Sequence, residues 1–123
     1  MEDERVWAHE KRLWTGSGAD AAGIIDASCL MVVPAAPFVM EGDEARQAMD
    51  RAPRWTQVDL AHGRIARPQD GLIVVAYQAF ARREDGEDYS AWCTSTYRRV
   101  GHHDWHLVQH QQMAAADGPL RTG

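Results

Sequence analysis

Residues 72–113 read LIVVAYQAFARR, EDG, EDYSAWCTSTYRRV, GHHD and WHLVQHQQM in succession, and this stretch decides the fold. Leu72 to Arg83 is an uninterrupted strand-forming run, with large or apolar side chains on both of its alternating faces. Asp85-Gly86 behind it is a hairpin signal, because that pair accepts the left-handed conformations a tight turn needs. Glu87 to Val100 returns, Gly101 to Asp104 turns again, and Trp105 to Met113 forms the last strand. Upstream, a strand from Val58 to about Arg67 ends at the turn Pro68-Gln69-Asp70-Gly71. The C-terminal half is therefore an antiparallel meander.

The N-terminal half has a different period. Val6, Trp7, Leu13 and Trp14 fall within roughly a 120° arc at 100° per residue, one apolar stripe on a charged helix. Glu2, Asp3 and Glu4 favour its start and Gly16-Ser17-Gly18 ends it. A short helix is expected from Asp20 to Asp26, with Ile24 and Ile25 on its buried side. Cys29 to Val33 is a short apolar strand closed by Pro34 and Pro37, and Phe38-Val39-Met40 pairs back with it. Asp43 can cap a third helix whose stripe is Ala45, Ala48, Met49 and Ala52, and Pro53 stops it. Helices first and a long meander afterwards predict an α+β fold, with helices on one face of a curved sheet. The helices can cover only one face of the longest strand. A second copy of the chain is the expected cover for the other, giving a homodimer through the sheet.

The chain has 123 residues, which is one domain, expected over 1–116 with a loose tail at 117–123. Its formal net charge of −5 argues against nucleic acid as a partner, since phosphate binding needs a concentrated basic face. No apolar run is long enough to cross a bilayer, and the charged N-terminus lacks the core of a signal peptide, so a cytoplasmic protein is expected. Lys11 stands alone against twelve arginines, which together with abundant alanine suggests bacterial, GC-rich coding. Cys29 and Cys93 fit no metal-ligand spacing and read as buried thiols.

The order of these elements and several local motifs resemble the NTF2-like superfamily, in particular its SnoaL-like / DUF4440 branch. The residues that carry the resemblance are Arg12-Leu13-Trp14, Cys29-Leu30-Met31-Val32, and Gly42-Asp43-Glu44-Ala45. Ser95-Thr96-Tyr97-Arg98 and Trp105-His106-Leu107-Val108-Gln109-His110-Gln111 complete it, so that it spans about residues 3 to 113. It implies a cone-shaped α+β barrel with a pocket between helices and concave sheet, usually dimeric. Members include ketosteroid isomerase, polyketide cyclases, dehydratases and non-enzymatic binding modules, so the resemblance does not select one chemistry. Isomerase-like members combine an acidic base with a tyrosine hydroxyl in an apolar pocket. Asp26 and Asp59 are the candidate carboxylates.

With Asp85-Gly86 as a two-residue turn, Tyr77 lies opposite Thr94, and Tyr77, Trp92 and Thr94 share a face. One register of the next hairpin adds His110 opposite Thr94. Trp14, Trp55, Tyr77, Trp92 and His110 are then the expected lining of a pocket for a small apolar molecule. The alternative is proton-transfer catalysis, with His110 as base and Tyr77 as hydrogen-bond donor. The plainer reading of His110 is a histidine satisfied by neighbouring hydroxyls, or one in a dimer interface.

His102, His103, His106 and His110 invite a metal. On one strand face His106 and His110 would stand roughly 13 Å apart, too far for one ion, so no metal site is expected. No phosphate-binding glycine loop, HExxH or Ser-His-Asp order calls for a cofactor or hydrolytic chemistry. Arg82-Arg83 and Arg98-Arg99, beside Asp85, Glu87 and Asp88, read as a solvated strand end with cross-strand ion pairs. An anion held at the pocket mouth is the other use for them.

Overall fold

A computed structural model describes residues 1–115. Helix α1 (Asp3–Thr15) and helix α2 (Gly18–Gly23) lead into strand β1 (Ile25–Val32). Strand β2 (Val39–Glu41), helix α3 (Gly42–Arg51), and strands β3 (Gln57–Gln69), β4 (Leu72–Arg82), β5 (Asp88–Arg99) and β6 (Trp105–Ala114) follow. The expected α+β order is present, and the three helices pack on one face of a six-stranded curved sheet. The sheet does not close into a barrel: its order is β2-β1-β6-β5-β4-β3, with β2 and β3 as free edges. β1 runs parallel to β6, which brings the helical half of the chain back onto the last strand. The expected tail at 117–123 lies outside the described residues.

The helix ends differ from expectation in instructive ways. The second helix stops at Gly23, capped at its start by Ser17, whose side chain accepts from the Asp20 amide. Ile25 is therefore the first residue of β1, where its side chain is fully buried. α3 is opened by Glu41 rather than Asp43, through a capping box in which Glu44 reaches back to the Glu41 amide. Gly42 is required there, since any Cβ would run into the backbone carbonyl of Ala27.

Two registers decide which side chains face the helices. The β4–β5 connection is a three-residue loop, Glu84-Asp85-Gly86: the Gly86 amide donates to Arg83 O, and the Arg83 amide to Glu87 O. Gly86 takes a φ of +89°, a type I turn closed by a left-handed glycine, not the two-residue turn expected. The register consequently moves by one, and Tyr77 pairs with Cys93 instead of Thr94. In β6 the register shifts between Thr96↔Gln109 and Tyr97↔Leu107, leaving Val108 as a bulge. Trp105 and Leu107 are buried, and the bulge turns His110 to the same inner face. The inner face then comprises Ile73, Val75, Tyr77, Ala79 and Ala81 of β4, Ala91, Cys93, Ser95 and Tyr97 of β5, and His110 of β6. Trp92 and Thr94 fall on the outer face.

Candidate functional site

The inner face meets α1 around one carboxylate. Glu10 is fully buried, although its helix is largely charged. Its position follows from helical spacing: it lies one turn from Val6 and one turn from Leu13 and Trp14, in the middle of the apolar stripe. Three hydroxyls from the sheet converge on it. Tyr77 Oη donates to Oε1 at 2.7 Å, Ser95 Oγ donates to Oε1 at 2.8 Å, and Tyr97 Oη donates to Oε2. Trp14 Nε1 donates in turn to Tyr77 Oη at 3.1 Å.

His110 extends this network. Its Nδ1 lies 2.7 Å from Ser95 Oγ, and its Nε2 lies 3.2 Å from Gln112 Nε2. The Ser95 proton is committed to Glu10, so His110 must donate from Nδ1, and Nε2 accepts from the Gln112 amide. The histidine is thus a neutral imidazole protonated at Nδ1. Burial lowers its pKa, against smaller opposing pulls from the Glu10 charge and from a backbone hydrogen bond with Thr94. Burial also drives the hydroxyl pKa values of Tyr77 and Tyr97 well up, so both remain proton donors.

In front of the network lies a cleft of about 280 Å³ between α1, α3, the β1–β2 hairpin and the sheet. Trp14, Met31, Met40, Met49 and Trp55 form much of its wall. His110, Gln112, Arg54 and Arg83 are its hydrogen-bonding groups, and no Asp or Glu lines it. A larger hollow of about 430 Å³ is on the outer face, where Arg82 and Asp88 already bond each other at 3.2 Å. Its charged lining is exposed: Arg82 and Asp88 are paired, and Asp59 stands beside them.

Of the five expected lining residues, Trp14, Trp55 and His110 meet at the cleft. Tyr77 stands behind it: its hydroxyl is spent on Glu10 and accepts from Trp14, and the ring does not line the cleft. Trp92 is on the opposite face of the sheet, 43% exposed beside His62, because of the one-residue register difference. Tyr89 stacks on Trp55 at 5.7 Å between ring centroids, behind the cleft wall rather than in it.

The carboxylate reading also changes. Asp59 is exposed on the outer-face hollow. Asp26 is buried, but it ties the start of β1 to β5 and β6: it accepts from the Ser28 amide and hydroxyl, from Arg98 and from His106. The Ser28 hydrogen bonds, foremost, hold its carboxyl well below the usual range. His106 is therefore engaged with Asp26, and the Val108 bulge takes it off the face of His110. Among the described residues no group of three metal-binding side chains occurs, and no helix is long and apolar enough to cross a membrane. Cys29 and Cys93 are both buried, with thiols pushed up by burial to about 11 and about 12.

Solved structures similar to this chain identify the fold as NTF2-like. A protein described as a candidate ketosteroid isomerase from Parabacteroides distasonis aligns over 94% of this chain and 88% of its own, with 17% identity and a TM-score of 0.78. An NTF2-like protein of unknown function in nutrient uptake from Rhodospirillum rubrum aligns over 89% and 98%, with 13% identity and a TM-score of 0.72. The CamKII hub homology domain of Chlamydomonas reinhardtii aligns over 91% and 93%, with 16% identity and a TM-score of 0.72. No family model and no curated protein matches the sequence.

Proposed function

We propose that this chain binds a small apolar molecule in the cleft under α1 and α3, in contact with Trp14, Trp55 and His110. The observation that carries this reading is the wall itself. It is a concave surface of two indoles and three methionines, with His110 and Gln112 as the hydrogen-bonding groups of its sheet side. Such a lining holds a ligand by burial and orients it by a few polar contacts. Calorimetric titration with 1-octanol tests it. Wild type binds, and Ala48→Phe, which fills the cleft from α3, does not. Absence of binding, or binding indifferent to that substitution, would refute the reading.

A second reading is proton transfer in the manner of the ketosteroid isomerases and polyketide cyclases, and the Glu10–Ser95–His110 chain favours it. Nε2 would take a proton from the ligand once Gln112 yields its place. Nδ1–H stays on Ser95, and the positive charge on the ring is compensated by Glu10 through the serine hydroxyl. Tyr77 in this scheme holds Glu10 in position rather than touching the ligand.

Residues 1–116 then form a single domain of the SnoaL-like / DUF4440 branch in a bacterial cytoplasm. Its outer sheet face carries Phe80, Trp92, Met113, Leu30 and Val32, all exposed. Trp92 pairs with Met113, and Phe80 is diagonal to Trp92, so these three are contiguous, while Leu30 and Val32 lie on the neighbouring strand β1. A second copy covers this face, a mode of assembly in keeping with the hub domains among the structural neighbours.

A further inference from the structure

The cleft has a charge asymmetry that an apolar ligand alone does not use. Its two cations, Arg54 and Arg83, are unaccompanied by any acid in the lining. Arg54 is consumed by the fold: its guanidinium donates to the carbonyls of Arg12, Leu13 and Gly16 at the end of α1. Arg83 is not. Its Nη1 donates to the exposed Glu87 at 2.6 Å and its Nη2 to Pro53 O at 3.3 Å. Its Nε is buried and has no hydrogen-bond partner among the described residues. A buried donor left unpaired is unfavourable, so such a group calls for an acceptor. The guanidinium carbon of Arg83 lies over the Trp55 ring, 3.8 Å from its centroid, a cation–π contact that keeps the head group at the cleft wall.

The positions of the polar groups set the shape of the ligand. His110 faces the row of Ser95 and Val75. Arg83 follows the end of β4, well down the same strand toward the β4–β5 loop. The cleft therefore has a hydrogen-bonding inner end, an apolar middle walled by Trp14, Met49 and Trp55, and a cationic outer end.

We infer that the cleft takes an amphipathic carboxylic acid, its apolar body against Trp14 and Trp55 and its carboxylate on the Nε–Nη2 edge of Arg83. This deepens the proposed apolar-ligand reading and rests on it. The Nη1 corner stays with Glu87, and the fork of the guanidinium gives the carboxylate two parallel acceptor positions, one of them the unpaired Nε–H. A small turn of the Arg83 side chain on its flexible stem opens that edge to the ligand.

The test compares octanoate with 1-octanol, which share a chain and differ in the head group, by calorimetry on wild type, Arg83→Gln and Arg83→Lys. Wild type is expected to bind octanoate at least tenfold more tightly than octanol. Arg83→Gln removes that preference while leaving octanol affinity within about twofold, and Arg83→Lys retains part of it as a point charge without the fork. Equal binding of the two probes by wild type overturns the carboxylate assignment and leaves the apolar cleft standing. A preference that survives in Arg83→Gln overturns it likewise. Binding of neither probe overturns both this inference and the reading beneath it.

Discussion

Glu10 and His110, from the first helix and the last strand, are joined through one hydroxyl: Ser95 Oγ stands 2.8 Å from Glu10 Oε1 and 2.7 Å from His110 Nδ1. All three residues are buried. The proton positions along this chain are dictated by its two ends, since Glu10 can only accept while ionised and Gln112 offers an N–H to the far side of the imidazole.

Removing the carboxylate leaves buried hydroxyls without an acceptor. Glu10→Ala is therefore expected to lower the unfolding free energy by about 3 kcal/mol or more, read as a fall in the urea midpoint. Glu10→Gln keeps the volume and one acceptor oxygen and loses less. Equal stability of Glu10→Ala and wild type would contradict the network.

The tautomer of His110 gives a spectroscopic check. Nitrogen shifts of the imidazole should report a proton on Nδ1 in wild type. In Ser95→Ala the Nδ1 partner is lost, and the ring is expected to show a mixture with the Nε2-protonated form. A wild-type ring protonated at Nε2 would reverse the donor assignments given above.

The pH dependence of stability follows from the lowered pKa of His110, whose first cause is burial. The unfolded state takes up a proton near pH 6.5, at the reference pKa of about 6.5, while the folded state does not until a lower pH. Stability is therefore full above pH 6.5 and falls as the pH drops below it. His9 is shifted the same way, by burial first and then by Arg12 and Arg5, and adds to the slope. The pKa of Asp26 is lowered, so its contribution is lost only below the ordinary carboxylate range, outside this window. Melting temperatures between pH 7.5 and 5.5 should decline in wild type and decline less in His110→Gln. Parallel curves would contradict a buried, neutral His110.

Much of the fold was legible because each strand of the meander declares itself by composition and each turn by its glycine or proline. The site was less so, for reasons local to a few residues. Glu10 sits at the centre of the Val6–Leu13–Trp14 stripe and could have been found there, but a carboxylate in a charged helix draws the eye to solvent. The Asp85-Gly86 dipeptide marks a turn without fixing its length, and the three-residue loop moved every partner of Tyr77 by one. The bulge at Val108 has no side-chain signature, yet it decides the face of His110. The first moves the β5 partner of Tyr77 from Thr94 to Cys93 and the second moves that of His110 from Thr94 to Ser95, so the two changes of face cancel between β4 and β6: Tyr77 and His110 share a face as expected while Trp92 does not.

Gly86 makes the loop testable. Its φ of +89° is open to glycine and strained for a β-branched residue. Gly86→Val should cost about 1–2 kcal/mol of stability without altering ligand affinity. A neutral substitution would contradict the left-handed turn.

The outer sheet face predicts assembly. Sedimentation of wild type at micromolar concentration should give a dimer, and the pair Phe80→Asp with Trp92→Asp should give a folded monomer. A wild-type monomer would contradict the proposed homodimer.

The central claim is that the helix-side cleft, and not the outer face, is where a small apolar molecule binds. The five tryptophan indole N–H signals resolve this in one titration with 1-octanol, followed by nitrogen–proton correlation spectra. The account predicts saturable shifts of Trp14 and Trp55, with Trp92 unmoved. Shifts of Trp92 with Trp14 and Trp55 unmoved, or no saturable shift at all, would contradict it.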